Sequence, residues 1–210
     1  VDAEPRWPAF LAVLSVGLLQ FTLPEELSLG PRWMLLLLLS VLTVPTVIAR
    51  RVGKFRVNEV LGYTTAGLVT LTLIWSLGQL IRALPAHRET PIELLESAAT
   101  LWFSNILVFA SWYWRLDAGG PNARDLRDAH TEGAFLFPQM TIEQMKTPEG
   151  ARGWTPGFVD YLFLAFNTST AFSPTDVPVL SRWAKLVMMV QAMISLATVT
   201  LLAARAVNIL

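Results

Sequence analysis

Side chains able to meet an ion or a solute gather in the last quarter of the chain. Thr168 and Thr170 close one apolar run, and Ala171, Phe172, Ser173, Pro174, Thr175 and Asp176 follow without a break. Hydroxyls, backbone carbonyls and a carboxylate at that density can replace the hydration shell of a cation. They can equally close a capped turn, because Asp and Ser near a Pro often do so. Downstream, Gln191, Ser195 and Thr198 recur at i, i+4 and i+7, so on a helix they form one polar stripe. Such a stripe either lines a cavity or supplies hydrogen bonds between helices. Glu96 is an intramembrane acid, where desolvation is costly. It shares a helical face with Glu93 and Thr100, and it can snorkel, pair with Arg82 or Arg88, or face a cavity. Glu93 itself fits a capping box opened by Thr90. Asn105, in the middle of its apolar run, suits a bond to a neighbouring helix, and Arg205 suits a headgroup. Catalysis finds little material. The two histidines, His87 and His130, stand in polar loops and read as solvated, and no HExxH, GxSxG, P-loop or cofactor fingerprint occurs. The chain is therefore read as no enzyme, with no cofactor and no metal. It has no cysteine, which excludes disulfides and thiolate metal sites.

These residues must be positioned by apolar helices. Only 15% of the chain is charged against 53% hydrophobic, and the charges cluster between long apolar runs, the pattern of a polytopic membrane protein. The net charge of zero leaves no nucleic-acid footprint. Five spans are expected, at about 7–23, 33–49, 60–81, 92–114 and 183–207, each near the roughly 20 residues a bilayer core requires. Trp7, Trp33, Trp112, Trp114 and Trp183 fall at span ends, where an aromatic belt sits. Pro45 predicts a kink in the second span. Residues 115–153 form a long polar segment, in which 122–132 suits a short surface helix. Phe135 and Phe137 read as loop anchors at the interface. No internal repeat appears, so the inverted-repeat signature of many transporters is lacking. Arg50, Arg51, Lys54 and Arg56 make the densest basic loop, which places the N-terminus in the cytoplasm and the C-terminus outside. Arg82 and Arg88 argue the other way, but Glu89 and Glu93 lie beside them. Val1 in place of a start methionine implies processing or trimming, and no signal-peptide cleavage pattern follows the first run.

Residues 155–177 differ from the spans. Thr155-Pro156 starts a helix. Asp160 in its first turns favours the positive end of the helix dipole. The helix reaches only Thr170, too short to cross a bilayer, and the polar run 171–176 breaks it. Ser181 then caps a long apolar helix. A half-length helix that returns to a full span reads as re-entrant, and irregular backbone at membrane depth is tolerated only in protein or beside water.

On these residues the chain resembles the pore module of tetrameric, potassium-channel-like cation channels: outer helix, pore helix, filter, inner helix. Thr168-Ser169-Thr170 takes the place of the family's Thr-rich turn. Residues 171–176 take the place of its Thr-Val-Gly-Tyr-Gly-Asp filter, with Thr168, Thr170 and Asp176 keeping the residue type. The chain also resembles uncharacterised bacterial membrane proteins with a Phe-Ser-Pro-Thr-Asp run near the C-terminus. The resemblance covers about the last quarter of the chain, with the helix at 92–114. It implies an oligomer, a tetramer foremost, with the loop near its axis in a bacterial inner membrane, and monovalent or divalent cations as solutes. The filter glycines are replaced by Ser173 and Thr175 and the aromatic by Pro174, so potassium selectivity does not carry over. Side-chain oxygens of Ser173, Thr175 and Asp176 are then the ligands to expect. Asp176 could instead bond the loop backbone or Trp183.

The fold expected is thus all-α: a polytopic integral membrane protein with five transmembrane helices plus a re-entrant pore-type helix and loop. Residues 1–89 form a three-helix membrane region. Residues 90–210 form the pore-module-like region: outer helix 92–114, polar loop 115–153, re-entrant helix and loop 155–177, inner helix 182–208. The function expected is ion permeation of unknown selectivity; the alternative is a non-conducting scaffold or partner subunit that keeps the fold.

Overall fold

The computed structural model describes residues 4–83, 90–127, 130, 133–141, 154–170 and 176–209, with backbone alone for Pro91 and 205–209. Helices form where apolar runs meet start and stop signals. α1 (Trp7–Leu19) carries Pro8 in its first turn and runs on as a 3-10 turn, Gln20–Thr22. Pro24 stops it, and a second 3-10 turn, Glu25–Leu27, leads to α2 (Arg32–Arg51). Pro45 lies inside α2, and the hydroxyls of Ser40, Thr43 and Thr46 donate to carbonyls one turn back. α3 (Phe55–Ala83) follows a short turn, and α4 (Pro91–Leu116) opens in a capping box. There the Thr90 hydroxyl accepts the Glu93 N–H while the Glu93 carboxylate accepts the Thr90 N–H. Gly119 and Gly120, both at positive φ, turn the chain into the short α5 (Pro121–Asp125). α6 (Phe158–Thr170) and α7 (Arg182–Ile209) complete the set.

Four helices are long and apolar enough to cross a membrane: Arg32–Arg51, Phe55–Ala83, Ile92–Gly119 and Arg182–Ala204. The described residues are helical with a single isolated β-bridge and no strand. This is an all-helical membrane protein. The expected first span is the one that differs: Trp7–Thr22 is a shorter apolar helix. Its last turn tightens to 3-10 ahead of Pro24, so helix ends where the sequence still reads apolar.

α4 sits at the centre and packs against α7, α6, α3 and α1. Ala98, Ser97, Ser104, Ala110 and Ser111 are buried along it, and such small residues let neighbouring backbones come close. At Gly62 of α3 the Arg115 guanidinium occupies the place of a side chain: a Cβ there would lie 1.8 Å from Nη1. Cross-contacts fix the helix directions. Trp114 packs on Phe158 and bonds Glu4, Asn122 bonds Asn58, and Arg50 meets Asp125. The starts of α1, α3, α6 and α7 therefore share one end of the bundle with the finishes of α2 and α4. Phe135 and Phe137 belong to this end too, but not as interface anchors. They are buried among Tyr113, Tyr161, Trp154 and Trp183. Four rings from distant parts of the chain leave an aromatic-lined gap that the apolar strap fills, which a linear reading cannot see.

Candidate functional site

α6 is 13 residues long, about 20 Å at 1.5 Å per residue, against a bilayer core of about 30 Å. It enters beside α4's C-terminus and ends about a third of the way along α7. The Gln191 amide donates to the Ala165 carbonyl at 2.7 Å and to the Ser169 hydroxyl at 2.8 Å. Trp102 reaches the Ser169 carbonyl from α4. Gln191 stands nine residues into α7, about 14 Å from its start. Residues 176–180 lie elsewhere. Leu136 N–H donates to the Pro178 carbonyl, and Leu180 N–H donates to the Ala134 carbonyl. Val179 thereby pairs with Phe135, which packs on Trp183 at α7's first turn.

The polar stripe of α7 is internal to the protomer. Gln191 and Thr198 are fully buried and Ser195 nearly so. The Tyr113 hydroxyl donates to the Gln191 side-chain carbonyl. The Asn105 amide donates to the Ser195 hydroxyl at 2.7 Å and to the Gln191 main-chain carbonyl at 3.2 Å. Thr198 turns its hydroxyl back to the Ile194 and Ser195 carbonyls. The stripe thus joins α4, α6 and α7. Apart from Arg182 and Lys185 in its first turn and Thr200 further on, the exposed face of α7 is apolar: Leu186, Met189, Val190, Met193 and Leu196.

Thr168 and Thr170 donate to the Leu164 and Phe166 carbonyls, Thr170 from an exposed position. Ala171, Phe172, Ser173, Pro174 and Thr175 lie outside the described residues, as do His87, Arg88 and Glu89. Asp176 is exposed, and among the described residues it has no hydrogen bond or ion pair, so neither Trp183 nor the strap holds it. Asp160 accepts the Gly157 N–H as a cap, and Ser181 accepts the Ala184 N–H. Glu96 is exposed at the far end of the bundle, beside a cleft that also takes in Arg82.

Two groups that sequence reasoning passed over hold this region together. Asp117 looked like a mere end to α4, yet it is fully buried. It accepts from the Tyr161 hydroxyl at 2.6 Å and from the Ala134 N–H, so it ties α6 and the strap to α4. His130, expected in solvent, is also buried, with Nε2 3.0 Å from the Asp117 carboxylate. Gly133 leaves room for that ring: a Cβ there would stand 2.4 Å from Nε2. Arg124 donates to the Trp114 and Asp117 carbonyls at 2.8 and 2.9 Å, lies over the Tyr161 ring, and meets Glu4 at 3.3 Å. Glu4 accepts from Trp114 and Arg6, and Asp125 joins Arg6 to Arg50. Burial pushes the Arg6 guanidinium down to about 10, with Glu4 and Asp125 opposing the shift. The only available signal was a mixed-charge 122–132 segment, which reads as surface until its partners are known.

Among the described residues, no group of three or more His, Cys, Asp or Glu side chains is arranged to hold a metal. No protein family, curated protein or solved structure matches the chain.

Proposed function

We propose that the chain is one subunit of an oligomeric, ion-channel-like membrane protein, in which residues 155–177 form a re-entrant helix and loop. One observation carries the reading: α6 ends about a third of the way along α7, beside Gln191, while residues 176–180 are back at α7's first turn. A difference in depth between residues 170 and 176 is what a re-entrant helix with a returning loop requires. The exposed Asp176 carboxylate then stands where a cation would enter, and in a tetramer four of them would form a ring. Thr170, Ser173 and Thr175 supply further oxygens. Phe163 and Phe166 on α6, with Met189 and Met193 on α7, are exposed apolar residues suited to subunit contact around the axis. The charge bias at Arg50–Arg56 puts the shared end of α6 and α7 on the cytoplasmic side.

A non-conducting scaffold or partner subunit is the second reading, and one observation favours it. The Gln191, Ser195 and Thr198 stripe is spent on bonds inside the protomer, and the outward face of α7 is apolar, which would leave a lumen prone to dewetting. Cation flux into vesicles containing the purified protein separates the two. Flux that falls several-fold in Asp176→Asn, with the oligomer intact by cross-linking, supports permeation. No flux from the unaltered protein under any voltage or cation rejects it and leaves the scaffold.

A further inference from the structure

At the opposite end of the bundle from the loop, a cleft of about 690 Å³ opens between the turn after α1, the start of α2, the end of α3 and the start of α4. Its lining carries both charge signs: Glu26, Glu93 and Glu96 against Arg32 and Arg82. These charges are not consumed by one another. Among the described residues Arg82 bonds Gln79 alone, and Glu93 is spent on the Thr90 cap. Among the described residues Glu26, Glu96 and Arg32 have no hydrogen bond or ion pair. Glu96 stands five residues inside α4, about 7 Å below its start, so the acid reaches deeper than a rim position. The cleft is open, lies where helices of spanning length end, and among the described residues has one more carboxylate than guanidinium.

We infer that this cleft binds a phosphoethanolamine group, an ammonium two carbons from a phosphate. Carboxylates of Glu96 and Glu26 accept from the ammonium, whose three N–H donors suit more than one acceptor. Arg32 and Arg82 meet the phosphate, for which the guanidinium fork is well shaped. A quaternary ammonium offers no N–H donor and a glycerol headgroup offers no cation, so both fit less well. A zwitterion satisfies both charge signs at once and leaves Glu93 on its Thr90 cap. The site is independent of the permeation reading and survives its failure.

Native mass spectrometry of the purified protein tests this, with phosphatidylethanolamine, phosphatidylcholine and phosphatidylglycerol added at equal concentration. Phosphatidylethanolamine should be retained about tenfold better than the other two, the worth of one charge-assisted hydrogen bond. Glu96→Gln should abolish that preference, Arg32→Gln should weaken retention of all three lipids through their shared phosphate, and Lys54→Gln at the other end should change neither. Soluble glycerophosphoethanolamine distinguishes the source. If it displaces the lipid at millimolar concentration, the free group suffices. If it does not while the preference persists, the acyl chains contribute and the ligand is the lipid. Equal retention of the three lipids, a preference unaltered in Glu96→Gln, or retention unaltered in Arg32→Gln overturns the assignment.

Discussion

The two ends of the bundle use their charges in opposite ways. At the end shared by the starts of α1, α6 and α7, one cluster of charges is drawn in and joined: Glu4, Arg6, Arg124, Asp125 and Asp117 each have partners. At the other end, Glu26, Arg32 and Glu96 line an open cleft without meeting. The contrast follows from what each end must hold. Around α5 the chain is irregular, and each carbonyl of a helix terminus left in a dry place needs a donor. Arg124 supplies two of them, to Trp114 and Asp117. At the cleft end the helix starts and finishes are wet, and a capping box is enough. Burial thus converts charges into structure at one end, and exposure leaves them free for a ligand at the other.

The sharpest way to break the comparison is to remove Arg124. Arg124→Met fits the volume but takes the guanidinium donor from the Trp114 carbonyl, leaves the Asp117 carbonyl with the Gly120 N–H alone, and takes a cation from Glu4. Removing one partner of a buried charge network costs about 3–5 kcal/mol. Denaturant unfolding in detergent, followed by tryptophan fluorescence, should report a loss of that order. A loss under about 1 kcal/mol would place this end in water and erase the distinction.

Between the two ends, Gln191 is the joint on which α6 rests. Gln191→Leu removes the acceptor of Tyr113 and the donor to Ala165 and Ser169. Interhelical hydrogen bonds in membranes average about 0.6 kcal/mol, so three together should cost about 2 kcal/mol. The last turn of α6 should loosen first, seen as faster hydrogen exchange at 165–170 than at 108–113. Uniform exchange along both helices would show that Gln191 does not position α6.

How far the chain announced this arrangement depends on whether a residue acts along the sequence or across it. The capping box at Thr90 and Glu93, the cap at Asp160 and the short length of α6 were legible because each depends on neighbours a few residues away. The stripe at Gln191, Ser195 and Thr198 was legible as a stripe, but not what it faces, since helical spacing gives a face and not its occupant. Asp117 and His130 were illegible for the same reason. Their partners, Tyr161 and each other, come from separate elements, and a carboxylate at a helix end looks like termination until a distant hydroxyl is seen beside it. The first span misled because hydropathy continues through Leu23 while the backbone tightens ahead of Pro24.

A smaller effect sharpens the middle of the comparison. Ser195→Ala removes the acceptor of Asn105 at 2.7 Å but leaves that amide its bond to the Gln191 carbonyl. The cost should be about 0.6 kcal/mol, the average for one membrane hydrogen bond. Adding Asn105→Leu should cost less than the separate losses predict, because the two residues share one bond. A double-mutant cycle on unfolding checks it, and full additivity would mean that the pair does not couple.

The smallest effect belongs to the cleft end, and its smallness is the point. Arg32→Gln and Glu96→Gln alter exposed side chains that have no partner among the described residues, so neither variant should change stability by more than about 0.5 kcal/mol. The same change in charge count at Arg124 is expected to cost several times as much. Unfolding must be measured in lipid-free detergent, because a bound headgroup would stabilise the unaltered protein by mass action and make the substitutions look costly. Adding phosphatidylethanolamine should then raise the midpoint of the unaltered protein and leave both variants where they were. A large loss without lipid would mean that these charges already pair with the protein, and the cleft end would be a second closed end.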